Sequence, residues 1–183
     1  MPRSSFQQLS AELLVDFPDN TTGLITPAII RAYFNKIFEA IRPAYGLLTR
    51  TTPNAQSLGL AYVPVVFETG FVSDVPDFTT TPATGTFVRL AAGTDRITIT
   101  AGLDGPLGRL VTVALFKNGV LTQWRSTATL SGAGKPVDIG FSALVYEAAS
   151  ASFQIQAICD TAGTSVNFTN LAVLAEVVPV NVY

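Results

Sequence analysis

The sequence predicts a mainly β chain: an antiparallel jelly-roll β-sandwich preceded by a short N-terminal helical arm. Three observations predict it. The spacing of apolar residues changes from helical to two near residue 58. Turn signals then separate short apolar runs as far as Val178. No second helical stripe follows the first, so nothing is available to serve as the crossover helices that join parallel strands.

In the arm, Leu9, Leu13, Leu14 and Val15 form a short apolar segment, and Asp19-Asn20-Thr21-Thr22-Gly23 reads as a turn. The helix starts at Thr26-Pro27. Thr26 is suited to accept from the first-turn N–H groups, and Pro27 to a first helical position whose N–H would have no partner. Ile29, Ile30, Tyr33, Phe34, Ile37, Phe38 and Ile41 then make one stripe, with Arg31, Asn35, Lys36, Glu39 and Arg42 opposite. Pro43 ends the helix because the residue before a proline is pushed out of the α region. Residues 49–59 are polar with one proline and read as a linker. The expected division is therefore an anchoring arm at 1–58 and a sandwich at 59–183.

Past Leu60, strands are expected at 62–69, 86–90, 96–100, 110–117, 120–126, 137–141, 152–160, 165–169 and 171–178. The clearest alternation sets Phe153, Ile155, Ala157 and Cys159 against Ser152, Gln154 and Gln156, with Ile158 out of step. Turns are expected at Asp104-Gly105-Pro106, Asn118-Gly119, Ser131-Gly132-Ala133-Gly134 and Ala162-Gly163-Thr164. Asn118-Gly119 is the sharpest, since both residues tolerate the positive φ of a type I′ hairpin.

Hydrophobic residues make up 48% of the chain and charged residues only 13%, with Thr, Ser, Gly, Asn and Gln standing where a soluble monomer carries charge. Such a surface suits a subunit that buries its outside against copies of itself or a larger assembly. A secreted sandwich with a Thr-rich coat is the other reading. A net charge of −2, with 11 Lys and Arg spread singly, offers no footprint for nucleic acid. The single cysteine, Cys159, excludes an internal disulfide framework and reads as a small buried hydrophobe. No apolar run reaches the roughly 18 residues of a membrane span, and Gln7, Gln8, Glu12 and Asp16 interrupt any signal-peptide core.

The chain contains no histidine, which excludes His-dependent triads, His metal sites and His acid–base catalysis. It has no P-loop and no Gly-x-Ser-x-Gly elbow. No catalytic, cofactor-binding or metal-ligating residue is assigned. Glu68, Asp74 and Asp77 could hold a calcium ion or act as a glycosidase pair, but their spacing matches no known ion loop. An exposed loop with turn-capping acids is the expectation there, and Asp138, Glu147 and Asp160 read as strand-end acids in the same way. Trp124 and Arg125 are a candidate surface-binding pair of aromatic and cation; equally, Trp124 plugs the sandwich.

Two stretches resemble known families. Phe17 to Pro27, with its Asp19-Asn20 and Ile25-Thr26-Pro27 ahead of an Arg31-containing helix, resembles a phrase near the N-termini of tailed-bacteriophage virion proteins. Residues 60–178 are similar to the tumour-necrosis-factor and complement-head jelly roll, through Leu115-Phe116-Lys117-Asn118-Gly119 and the late strands that follow. That family carries Gly-Asp before its late strand, where this chain has Glu147-Ala148-Ala149-Ser150. The second resemblance implies a homotrimer. Together they imply a non-enzymatic virion structural protein, made in the host cytoplasm. One form is a capsid decoration (cement) or head-fibre protein on the major capsid protein. The other is a small tail fibre or adaptor whose tip binds a host surface glycan or protein; an enzyme acting on cell-wall sugars is a distant third. Leu24, Ile25, Ile29, Tyr33, Phe34, Ile37 and Phe38 are the expected docking or oligomer surface.

Overall fold

The computed structural model describes residues 30–35, 37, 44–73, 77–147 and 150–178. The chain divides into two compact units, Met1–Pro43 and Ala44–Tyr183. In the first unit, residues 30–35 and 37 are helical, as the apolar stripe predicts; both helix ends lie outside the described residues.

The second unit is a sandwich of two six-stranded antiparallel sheets. Its strands are β1 (Tyr45–Arg50), β2 (Asn54–Leu58), β3 (Val63–Pro64), β4 (Thr69–Val72), β5 (Phe78–Thr81), β6 (Thr86–Arg89), β7 (Gly93–Asp104), β8 (Leu110–Lys117), β9 (Val120–Thr129), β10 (Val137–Glu147), β11 (Ala151–Cys159) and β12 (Thr164–Val178). The first sheet runs β10-β7-β12-β1-β4, with β2 beside β12; the second runs β5-β6-β11-β8-β9, with β3 beside β11. Strands adjacent in the sheet are mostly distant in the chain, which is the jelly-roll pattern of long returns between layers.

Period-two residues build the core from both sides. Ile97, Ile99, Ala101 and Leu103 of β7 and Leu171, Val173 and Ala175 of β12 face Val111, Val113 and Leu115 of β8 and Phe153, Ile155, Ala157 and Cys159 of β11. Each of the larger side chains contributes about 1.5–3 kcal/mol by leaving water. Phe87 stacks on Phe153 at 5.3 Å and meets Phe78 edge-on at 6.5 Å. Cys159 is buried, as expected.

Asn118 (φ 49°) and Gly119 (φ 78°) form the tight turn between β8 and β9. Asn118 also accepts from the Ser152 N–H at 2.8 Å, which ties the turn to β11. Two strands, β1 and β2, form within and just before the stretch expected as a linker. Leu48 and Leu58 point into the core, and polar residues stand on both faces: Thr49 and Ser57 outward, Arg50 and Gln56 inward, where Arg50 Nε donates to the Val66 carbonyl and Gln56 Oε1 accepts from the Val66 N–H. The strands expected at 165–169 and 171–178 are one strand, β12, with a bulge where Asn170 takes φ 49°. Opposite that bulge Gly102 has no room for a side chain: a Cβ would overlap Thr169 Oγ1 and lie 3.1 Å from the Thr169 carbonyl oxygen.

Candidate self-association surface

The first sheet turns one face to the core and the other outward. Its ladder register places outward residues in rows across neighbouring strands about 4.8 Å apart. One row reads Phe71, Leu47, Leu174, Thr98, Ser142; the next reads Tyr45, Glu176, Arg96, Leu144; and Tyr146 follows beside Thr94. Apolar side chains therefore gather at two places on one face. Tyr45, Leu47, Phe71 and Leu174 lie at the β4 edge, and Leu144 and Tyr146 at the β10 edge. Phe71, Leu144 and Tyr146 remain 56%, 57% and 68% exposed. Scattered apolar residues on a surface are ordinary, whereas contiguous ones mark an interaction site.

Between the two patches runs a polar strip. Arg96 Nη1 lies 3.1 Å from Glu176 Oε1, and the Thr98 and Ser142 hydroxyls are 3.2 Å apart. The outward face of the second sheet differs. Alongside Leu110, Leu121 and Ile158 it presents Thr86, Thr112, Thr127, Gln154 and Gln156, and these polar groups are bonded to one another or to nearby backbone: Gln154 Nε2 donates to the Thr84 carbonyl at 3.0 Å, and the Thr112 and Thr127 hydroxyls meet at 2.8 Å. Its one large ring, Phe116, is covered by Tyr62 at 5.1 Å.

At the end of the sandwich next to Tyr146 lies a buried charge cluster. Arg89 of β6 has Nη1 3.3 Å from Asp77 Oδ2 and Nε 3.1 Å from Asp95 Oδ1 of β7. Its Nη2 donates to the Ala92 carbonyl at 3.4 Å, and its guanidinium sits 5.2 Å over the Phe78 ring. Lys117 Nζ at the end of β8 lies 2.7 Å from Glu147 Oε1 at the end of β10. Asp77, Arg89, Asp95 and Glu147 are all buried. Burial pushes the Asp95 carboxyl up to about 6; the Arg89 charge opposes that, and the Glu147 and Asp77 charges add to it. Asp77 is thus a buried ion-pair member, where the sequence suggested an exposed turn cap; Asp74 lies outside the described residues. Among the described residues, no group of three or more His, Cys, Asp and Glu is arranged to hold a metal ion.

Of the anchor residues named from sequence, Leu24, Ile25, Ile29 and Phe38 lie outside the described residues. Tyr33, Phe34 and Ile37 fall on the helix of the first unit, with Phe34 exposed and the other two half-buried. Trp124 is half-buried and packs against the core, while its neighbour Arg125 is exposed. Sequence reasoning missed Tyr45, Leu47, Phe71, Leu144, Tyr146 and Leu174. The signal for two of them was present: Phe141, Ala143, Leu144, Val145 and Tyr146 form a run without alternation, which marks a strand apolar on both faces.

No protein-family model matches the sequence, and no curated protein matches it. Solved structures do. The globular domain of zebrafish complement 1qA protein superposes with a TM-score of 0.53 at 14% identity, over 78% of this chain and 98% of that one. An Eiger TNF from S. frugiperda superposes with a TM-score of 0.57 at 12% identity, over 75% and 94% of the two chains. Murine APRIL at pH 5.0 gives 0.54 at 6% identity, over 75% and 100%. The fold is the jelly roll of these proteins.

Proposed function

We propose that this chain is a non-enzymatic, homotrimeric structural protein of a virion, with the outward face of the first sheet as its self-association surface. The observation that carries the proposal is the pair of apolar patches at opposite edges of that face. An isologous dimer joins one patch to itself. A ring joins two different patches head to tail, and closes when the rotation returns to the start. Here Leu144 and Tyr146 at the β10 edge of one copy meet Tyr45, Leu47 and Phe71 at the β4 edge of the next, which is heterologous contact. The resemblance to the tumour-necrosis-factor and complement-head jelly roll supports three copies as the number that closes the ring.

The virion assignment rests on the arm. Its Asp19-Asn20 to Ile25-Thr26-Pro27 phrase resembles tailed-phage virion proteins, and its apolar stripe offers Tyr33, Phe34 and Ile37 to a second protein. In this reading the arm attaches to the shell as a decoration or head-fibre subunit, and the trimer clamps neighbouring capsomers. A ligand of the assembled state stabilises that state by mass action.

The test is incorporation into particles of a Phe34→Asp, Ile37→Asp double variant. The proposal expects wild-type oligomer mass and loss of the protein from purified particles. Normal incorporation removes the arm from the attachment role.

A further inference from the structure

The buried charge cluster has no part in the association surface, yet it joins the two layers of the sandwich. Arg89 and Lys117 belong to the second sheet, and their partners Asp95 and Glu147 to the first. Asp77, just ahead of β5, gives Arg89 a second carboxylate. Three carboxylates therefore share two cations in a space that burial has largely closed to water. Fully ionised, the five groups carry one negative charge too many. One bound proton brings them to neutrality.

We propose that this cluster is a proton-controlled clasp, which holds the sheets together most firmly in acidic solution and has slackened by the time the pH reaches neutrality.

Asp95 is the group that takes the proton. Both of its oxygens are buried and accept no aligned hydrogen bond, although Arg89 Nε stands 3.1 Å away. Valines flank it in both ladders, Val145 on β10 and Val177 on β12. The charged groups that face it are Arg89 from β6, Asp77 from the segment before β5 and Glu147 from β10; Lys117 of β8 reaches it only through Glu147. Its sequence neighbour Arg96 points to the opposite face, toward Glu176 of β12. When Asp95 is protonated, Arg89 keeps Asp77 and the Ala92 carbonyl, and Lys117 keeps Glu147. When Asp95 ionises, its buried charge has Arg89 close by but no aligned donor, and it adds to the Asp77 and Glu147 carboxylates.

The sign follows from the folded-state value of about 6 against 3.8 for an ordinary aspartate. The folded chain holds the Asp95 proton through that interval and the unfolded chain does not. Stability is therefore greatest below the interval and is lost as the pH rises through about 6. Between pH 5 and pH 8 this one group raises the unfolding equilibrium constant by about tenfold.

Urea unfolding of the full chain and of Asp95→Asn, at one protein concentration and at pH 5, 6, 7 and 8, tests the clasp. The asparagine variant should lack the roughly tenfold change from Asp95 and should be more stable than wild type at pH 8. A pH dependence identical in the two proteins would overturn the proposal. Carbon-13 NMR titration of the wild-type carboxyl groups decides independently, should the variant fail to fold. An Asp95 midpoint near 6 supports the clasp, and one near 4 overturns it. The carbon-13 titration reads Asp95 in the folded subunit whatever the number of copies, and the urea series compares two proteins at one concentration, so failure of the clasp is distinguishable from failure of the trimer.

Discussion

Replacing Leu144 with lysine tests the surface at the point where fold and assembly part company. Leu144 leaves 57% of its surface exposed in the isolated sandwich, so the subunit itself gains little from it. Surface substitutions of this kind stay within about 0.5 kcal/mol of wild type. In the assembly that surface is covered. A wholly buried leucine is worth about 1.5–3 kcal/mol, so covering the exposed share is worth about 1–1.7 kcal/mol per subunit. Three equivalent sites give about 3–5 kcal/mol, or roughly two to nearly four decades in the trimer dissociation constant. Lysine adds a further penalty, because its ammonium would lie beside Arg96, the register partner of Leu144. Sedimentation equilibrium across a concentration series reads the constant, and far-UV circular dichroism checks the fold. The expected result is a folded β protein whose mass falls to that of a monomer at micromolar concentration. A Leu144→Lys variant with wild-type mass and wild-type concentration dependence would refute the placement of the surface.

The Arg96–Glu176 pair crosses the same face, so Arg96→Ala alone should weaken association by leaving Glu176 covered and unpaired. Arg96→Leu together with Glu176→Leu should restore or tighten it, which the same sedimentation series reads. Gly102→Ala should cost about 1–3 kcal/mol in urea unfolding, because its Cβ meets Thr169; adding Thr169→Ala should recover part of that loss. Phe153→Ala, at the stack with Phe87, should cost about 3–5 kcal/mol and show as a lower unfolding midpoint.

Much of the second sheet was legible because its strands obey a clean period of two. Leu110–Lys117 and the Asn118-Gly119 turn were read as they stand, since a hairpin is specified locally. The first sheet was harder to read, for three physical reasons. β1 and β2 carry polar residues on both faces around a few buried anchors, with Arg50 and Gln56 turned inward, and hence look like a linker. β12 passes through Asn170 in the left-handed region, so a bulge reads as a break. β10 carries apolar residues on both faces beyond Phe141, so its alternation fades just where the association surface begins. The charge cluster was hidden for a different reason. Asp77, Arg89, Asp95, Lys117 and Glu147 are spread over 70 positions of sequence, and only the jelly-roll returns bring them together.

The mass of the purified chain in solution, measured by light scattering, bears most directly on the central claim. A single species at three times the 19.4 kDa subunit is the predicted result. A monodisperse 19.4 kDa species at all accessible concentrations would contradict it, and leave the two apolar patches of the first sheet without the partner assigned to them here.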